Sequence, residues 1–171
     1  MKQNTWLVIA ATALLLYAFR RPLGDVEETI VAATTQDSLS NERKYAPYIA
    51  AAEIRYKLPT GMLLRLIRQE SHFRTDIITG TKKSPVGAIG IAQFMPATAK
   101  DLGVDPLDPV ASIGAAARYL AQLYTSTGDW TKAVAAYNYG IGNVLRKVKA
   151  YGNAWADHLP TETKNYIANI V

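Results

Sequence analysis

The pattern of apolar and polar positions divides the chain into three parts. A nearly continuous apolar run occupies residues 6–19, a polar stretch covers 23–44, and from residue 45 onward apolar residues recur at helical spacing. We therefore predict a mainly α chain with an N-terminal hydrophobic helix over 1–22, a polar tether over 23–44 and a single folded domain over 45–171.

Helix boundaries in the folded domain follow from caps and breakers. The predicted helices cover about 45–56, 61–70, 96–102, 109–127, 130–139, 144–150 and 161–170. Thr60, Asp108 and Asp129 are the predicted N-caps, because their side-chain oxygens can accept hydrogen bonds from the first free amides of a helix. A short ribbon between 77 and 92 is the only strand structure that the pattern allows. Within the tether we expect no more than a weak helix near 26–33.

The helix over 61–70 closes an aliphatic face with a carboxylic acid. The positions that share this face at i, i+3, i+4 and i+7 are Leu63, Leu66, Ile67 and Glu70. A carboxyl at the edge of an apolar surface loses hydration, so its pKa should rise toward the range that a general acid needs near neutral pH. The opposite face carries Arg65 and Arg68, which we expect to point away from Glu70. The alternative is an ordinary helix-end glutamate that is solvated or paired with a base.

The apolar run over 6–19 resembles the apolar region of a secretion signal, because it is shorter than the about 20 residues of a membrane-spanning helix. Lys2 precedes the run, and Arg20 and Arg21 follow it. No small-residue cleavage site comes after it, which favours an uncleaved membrane anchor over a removed leader. Both flanks of the run are positively charged, so the distribution of charge does not predict its orientation in a membrane.

Composition and charge exclude some chemistries. The 171 residues carry a formal net charge of +5 and no cysteine, so disulfides and thiolate catalysis are excluded. The basic residues are dispersed, which disfavours nucleic acid as a partner and leaves an acidic polymer or an anionic lipid surface. The two histidines, His72 and His158, are distant in sequence. We therefore predict no metal site and no cofactor.

Four segments of the folded domain resemble, in order and approximate spacing, the motifs of the soluble lytic transglycosylase catalytic domain. They are Glu70–Ser71, Ser84–Ala99, Ala136–Gly140, and Glu162–Thr163 with Tyr166. The resemblance covers about 45–171. It implies a lysozyme-like, goose-type α domain that cleaves the β-1,4 bond between N-acetylmuramic acid and N-acetylglucosamine in peptidoglycan. The implied cleavage is not a hydrolysis and leaves a 1,6-anhydromuramic end.

The resemblance implies that Glu70 is the catalytic acid. A retaining glycosidase with two carboxylates holds them about 5 Å apart, and the sequence shows no obvious second carboxylate beside the motifs. Glu162 is a better secondary candidate than Asp76, because the Glu-Thr motif of the family approaches the cleft. The lack of a nucleophile agrees with the substrate-assisted route of the family. In that route the acetamido oxygen of the sugar attacks, and Glu70 changes from acid to base.

The resemblance also implies a set of substrate-binding residues. They are Ser71, Gly87, Gln93, Met95, Tyr137, Asn138 and Tyr166. Each of several positions has a structural alternative. Ser71 can be a helix-end serine bonded to its own backbone, and Gly87 can serve a tight turn. Met95, Tyr137 and Tyr166 can instead be core side chains.

Two biological settings fit this interpretation. A bacterial enzyme anchored through 6–19 would work at the periplasmic face of the inner membrane and open the wall for growth or for an envelope-spanning assembly. A phage protein would be virion-associated and open the wall during genome delivery. The expected partner in both is the glycan strand of peptidoglycan. A hydrolytic lysozyme on the same fold and a non-catalytic virion or envelope assembly protein stay open as rivals.

The loop over 79–83 is longer and more basic than the common family pattern. This difference affects the expected shape of the sugar subsites rather than the expected chemistry.

Overall fold

The structure is a computed structural model that describes residues 23–171, with side chains from residue 27 onward. The predicted hydrophobic helix over 1–22 lies outside the described residues. Over residues 23–171, none of the helices combines the length and the apolar character that a membrane crossing requires.

Over the described residues the fold is mostly helical. The helices are α1 Leu23–Tyr56, α2 Met62–Ser71, α3 Thr75–Ile78, α4 Pro96–Leu102, α5 Pro109–Thr127, α6 Trp130–Tyr139, α7 Ile141–Tyr151, a 3-10 helix Gly152–His158, and α8 Thr161–Ile170. In place of the expected ribbon, Ile89 and Phe94 form one isolated antiparallel bridge. The prediction of a mainly α fold is confirmed.

Helix α1 differs from the sequence expectation. The polar stretch over 23–44 is helical and continues without a break through Pro47 to Tyr56. The sequence contains no glycine from residue 25 to Tyr56, and exposed polar side chains are compatible with a helix whose other face is supported by tertiary contacts. Residues Asp37–Val171 form one compact unit. The domain boundaries given above stay predictions.

Helix α2 lies in the centre of the core. Leu63, Leu66 and Ile67 have no exposed area, which confirms the predicted aliphatic face. Burial of each such side chain contributes about 1.5–3 kcal/mol to the free energy of unfolding. The helix that carries Glu70 is therefore held by packing along its whole buried face.

The predicted caps are correct at two helices and wrong at a third. Asp108 accepts hydrogen bonds from the amides of Val110 and Ala111 at 3.0 Å, and Asp129 accepts one from Lys132 at 2.8 Å. Helix α2, in contrast, does not use Thr60 as its cap.

A residue of the preceding helix takes that role at the start of α2. The Glu53 carboxylate accepts hydrogen bonds from the amides of Gly61 at 2.9 Å, Leu63 at 2.8 Å and Leu64 at 3.3 Å. These are amides that a helix N-terminus leaves without an internal partner. A carboxylate from α1 thus caps α2 through a tertiary contact, which a local sequence pattern does not reveal.

Candidate active site

Glu70 lies in the last turn of α2, half-buried, and contacts a tyrosine of α8. The Tyr166 hydroxyl donates a hydrogen bond to Oε1 of Glu70. Burial raises the pKa of the Glu70 carboxyl to about 7, the hydrogen bond from Tyr166 opposes this rise, and the negative charge of Glu162 adds to it. A carboxyl with this pKa is available both as an acid and as a base at neutral pH.

The two arginines of α2 point away from Glu70, as predicted. Arg65 donates from Nε to the carbonyl oxygen of Ile170 at 2.6 Å. Arg68 forms a two-point ion pair with Glu42 of α1, with nitrogen to oxygen distances of 3.0 and 2.6 Å. Both guanidinium groups are thus engaged elsewhere, so neither offsets the effect of burial on Glu70.

Helices α2 and α8 are joined by three polar contacts in all. Besides the contacts of Arg65 and Tyr166, the amide of Asn169 donates to Oε1 of Gln69 at 2.9 Å. Arg65 contacts Ile170 whereas the later Glu70 contacts the earlier Tyr166, so the two helices run antiparallel at this point. Glu70 and Tyr166 are consequently positioned by the same helix pair.

Tyr137 forms an aromatic wall beside Glu70. Its ring centroid lies 5.5 Å from that of Tyr119 and 6.1 Å from that of Phe94, and its hydroxyl donates to the carbonyl of Ala92 at 3.1 Å. Burial and then the charge of Glu70 raise the pKa of Tyr137 well above its usual value. With its hydroxyl engaged by Ala92, Tyr137 makes the packing contacts of the structural alternative, and its contact with substrate stays a prediction.

The two tyrosines nearest to Glu70 stay protonated. Burial, then the charges of Glu70 and Tyr137, raise the pKa of Tyr166 well above its usual value. Each phenol can therefore donate a hydrogen bond but does not serve as a base near neutral pH. Glu70 is the group of this cluster that can exchange a proton there.

Asn138 is oriented by a residue that the sequence analysis did not assign to the site. The Thr163 hydroxyl donates to Oδ1 of Asn138 at 2.8 Å, and Thr163 is almost fully buried. Since its oxygen is occupied in this way, the amide of Asn138 has its nitrogen available as a donor. The Glu162–Thr163 motif was the signal that could have identified Thr163.

The glycine-rich segment over 87–96 carries three of the predicted binding residues. Gln93 has a left-handed backbone, with φ of 47°, and its side chain donates to the carbonyl of Gly90 at 2.9 Å. Met95 is 43% exposed at the start of α4. Gly87 adopts φ of 87° with open space where a Cβ would be. At Gly90, in contrast, an added Cβ would lie 1.9 Å from the carbonyl oxygen of Pro106, so that glycine is required by packing within the protein.

Ser71 is buried and bonded to its own backbone. Its hydroxyl donates to the carbonyl of Ile67 at 3.1 Å and accepts from the amide of Phe73 at 3.2 Å. It has no exposed area. This geometry corresponds to the helix-end alternative and offers no surface to a substrate, so a contact between Ser71 and substrate stays only a prediction.

A cavity of ≈ 440 Å³ lies beside Tyr119. Its lining consists of Thr98, Asp101, Leu102, Arg118, Tyr119 and Gln122. Tyr119 links it to the Glu70 cluster, because the Tyr119 ring packs against Tyr137. Neither Tyr119 nor the cavity was predicted from the sequence, since Tyr119 fits the apolar pattern of α5 like any core residue.

A family profile and individual relatives point to the same family. The family profile described as the transglycosylase SLT domain matches residues 47–159. The membrane-bound lytic murein transglycosylase D of Escherichia coli is 32% identical over 141 residues, which are 74% of this chain and 30% of that protein. The peptidoglycan transglycosylase gp16 of Escherichia phage T7 is 38% identical over 101 residues, which are 53% of this chain and 8% of that protein.

The fold agrees with a solved structure of the same class. The 70 kDa soluble lytic transglycosylase of Escherichia coli superimposes with a TM-score of 0.63 at 28% sequence identity, and the match covers 74% of this chain and 22% of that one. The chain thus spans less than a third of the length of each of these proteins. The expected lysozyme-like α fold is confirmed. On the evidence of the matched residues and the fold, the chain belongs to the transglycosylase SLT domain family.

Proposed function

We propose that this chain is a peptidoglycan lytic transglycosylase in which Glu70 is the single acid and base. The observation that carries the proposal is the Glu70 carboxyl, whose pKa burial raises to about 7 while Tyr166 donates a hydrogen bond to it. The relatives that match most of the folded domain are named for action on murein or peptidoglycan. A net charge of +5 also suits an acidic polymer as substrate.

In the first step, protonated Glu70 donates its proton to the glycosidic oxygen between N-acetylmuramic acid and N-acetylglucosamine. The acetamido oxygen of the muramic residue attacks its own C1 as the bond from C1 to the leaving oxygen breaks. The leaving sugar departs with a free hydroxyl, and Glu70 is left as a carboxylate. Tyr166 stabilises that carboxylate through its hydrogen bond, as charge-assisted bonds of this kind do.

In the second step, Glu70 acts as a base. It removes the proton from the 6-hydroxyl of the muramic residue, whose oxygen attacks C1 and displaces the acetamido oxygen. The product is a 1,6-anhydromuramic end, and Glu70 regains its proton. No water is consumed, and a second carboxylate is not required. Glu162, which is exposed at the start of α8, acts in this scheme only through its charge.

Three of the predicted binding residues offer groups that suit a sugar. The amide nitrogen of Asn138 can donate to an N-acetyl or hydroxyl oxygen, since Thr163 holds its carbonyl oxygen. Met95 offers an exposed apolar surface to a sugar face. The open space beside Gly87 allows a sugar to approach the backbone.

Digestion of purified peptidoglycan tests the reaction. We expect muropeptides with 1,6-anhydro ends by mass spectrometry, and Glu70→Gln should remove nearly all of this activity because the amide cannot donate or accept the proton. The exposed Glu28→Gln is the matched control and should retain wild-type rates. Free reducing ends as the main product would instead make the protein a hydrolase. No cleavage by the folded wild type would favour an assembly protein.

For the setting, we propose local opening of the cell wall, in a bacterial envelope or during phage genome delivery, with residues 6–19 as a membrane anchor. This is supported by relatives of both origins, one of them described as membrane-bound. N-terminal sequencing of the mature protein tests the anchor. A start at Met1 supports it, whereas a start beyond Pro22 would show a removed leader.

A further inference from the structure

The chain makes an unusual turn directly after Glu70. His72 and Phe73 have φ values of 51° and 55°, two consecutive residues other than glycine in the left-handed region. This conformation is sparsely populated and persists only where the surrounding structure imposes it. Phe73 is buried in the core with 1% of its surface exposed, so the position of Glu70 depends on how firmly this turn is held.

Helix α1 holds the turn from outside. Asn41 donates from Nδ2 to the carbonyl of Phe73 at 3.0 Å and to the hydroxyl of Thr75 at 2.8 Å. Asp37 accepts from the amide of Thr75 at 3.1 Å and from its hydroxyl at 2.8 Å. The Thr75 hydroxyl thus donates to one residue of α1 and accepts from the other, which fixes it in one orientation.

A third residue of the same segment holds the chain on the other side of Glu70. Glu42 binds the guanidinium of Arg68 at two points. Arg68 lies two residues before Glu70. Asp37 and Asn41 lie on one face of α1, since positions four apart are neighbours on a helix, and Glu42 follows Asn41 directly. Three side chains within six residues therefore contact the chain at Arg68, Phe73 and Thr75, on both sides of Glu70.

We propose that the Asp37–Glu42 segment of α1 is a positioning element for Glu70. It fixes the end of α2 and the turn that follows, and thereby keeps the Glu70 carboxyl at the Tyr166 hydroxyl and away from water. The segment lies before residue 47, where the family profile begins to match. It belongs to the stretch where the sequence predicts only a tether. The catalytic part of this inference rests on the proposed function, whereas the structural part does not.

The decisive experiment compares the full chain with the Asp37→Ala/Asn41→Ala double variant. Ser40→Ala is the matched control, because Ser40 is exposed on the same helix and its side chain makes no hydrogen bond within the described residues. The first readout is the titration of Glu70 by nuclear magnetic resonance of ¹³C-labelled glutamate carboxyls, with the Glu70 signal assigned by its loss in Glu70→Gln. The second is kcat and KM on soluble glycan strands.

Loosening of the turn should admit water to Glu70, so its titration midpoint should fall from about 7 toward the ordinary value of 4.5 in the double variant but not in Ser40→Ala. The charged and titratable groups that face Glu70, namely Tyr137 of α6 and Glu162 and Tyr166 of α8, are unchanged in all variants. The value of kcat should fall on the order of tenfold with KM nearly unchanged, because misplacement of a catalytic group mainly affects the chemical step.

The two readouts separate this inference from the proposed function. A folded double variant with the wild-type Glu70 titration overturns the positioning role, whatever its activity. A lowered midpoint supports that role even if the wild type proves inactive, in which case only the proposed function fails. If kcat falls while the Glu70 midpoint is unchanged, the segment affects stability or substrate access and does not position Glu70.

Discussion

Replacement of Glu70 by glutamine should stabilise the folded protein at alkaline pH while it abolishes activity. Burial raises the pKa of Glu70 from 4.5 to about 7. Above pH 7 the folded state must therefore hold a carboxylate in a poorly hydrated place, whereas the unfolded chain exposes it to water. Glutamine has nearly the same shape and stays neutral, so the variant avoids this cost.

The sign and size of this stabilisation follow from the difference between the pKa of Glu70 in the folded and the unfolded chain. A carboxyl with a raised folded-state pKa contributes stability below its unfolded value, and that contribution is lost as the pH rises through the folded value of about 7. The interval from 4.5 to about 7 corresponds to about 3 kcal/mol, at about 1.4 kcal/mol for each pH unit. Because Glu70 is only half-buried, solvent screens part of this, and we expect a gain of about 2–3 kcal/mol at pH 8.

Urea unfolding followed by circular dichroism at pH 4, 6 and 8 measures the difference. The free energies of unfolding of Glu70→Gln and wild type should be nearly equal at pH 4 and should separate as the pH rises, with the variant the more stable. Glu28→Gln, at an exposed position, should track the wild type throughout. The reasoning is refuted if Glu70→Gln is less stable than wild type at pH 8, or if the gap does not change with pH.

Two further predictions concern the neighbours of Glu70 and the glycine-rich segment. Tyr166→Phe removes a hydrogen bond that favours the Glu70 carboxylate, so the pKa of Glu70 should rise. For a bond of about 1.5–3 kcal/mol, the rise is about one to two pH units. The fall of kcat/KM at alkaline pH, where protonated Glu70 is lost, should move upward by the same amount. A pH–rate profile on glycan strands checks this, and an unmoved or lowered alkaline limb would contradict it. Gly90→Ala should lower the melting temperature severely or prevent folding, because its Cβ would lie 1.9 Å from Pro106 O. Gly87→Ala, which meets open space, should cost only about 1–2 kcal/mol for its left-handed backbone, and equal losses at the two glycines would show that packing at Gly90 is not the cause.

The local features of the fold could be predicted from the sequence. Asp108 and Asp129 cap their helices through amides two or three residues away, so the necessary residues are adjacent in sequence. The cap of α2 could not be predicted in this way, because Glu53 reaches its amides from the preceding helix. The Asp37–Glu42 segment was interpreted as part of a tether because its contacts are also distant in sequence. Thr75, which bonds to Asp37, lies 38 positions after it.

Prediction of the site shows the same limit. Glu70 could be singled out because a carboxyl interrupts an aliphatic face and a motif of a known family begins there, and Tyr166 because the motifs of that family include it. Their roles stay predictions. Thr163 and Tyr119 were not assigned to the site, since their roles depend on contacts with Asn138 and Tyr137 that a helical pattern does not contain. Ser71 shows the same limit from the other side, because a residue next to Glu70 in sequence is buried in the core, and its contact with substrate stays a prediction.

The three polar contacts between α2 and α8 also determine which part of the site is rigid. Arg65, Gln69 and Glu70 on one helix are each joined to a residue of the other. The two helices therefore move as one body, and the acid and its hydroxyl partner are preorganised before a substrate arrives. Under the proposed function, adaptation to glycan strands of differing substitution would then fall to the segment around Gly87, where space is open. Substrate range and catalytic power would then depend on separate parts of the chain and could change independently.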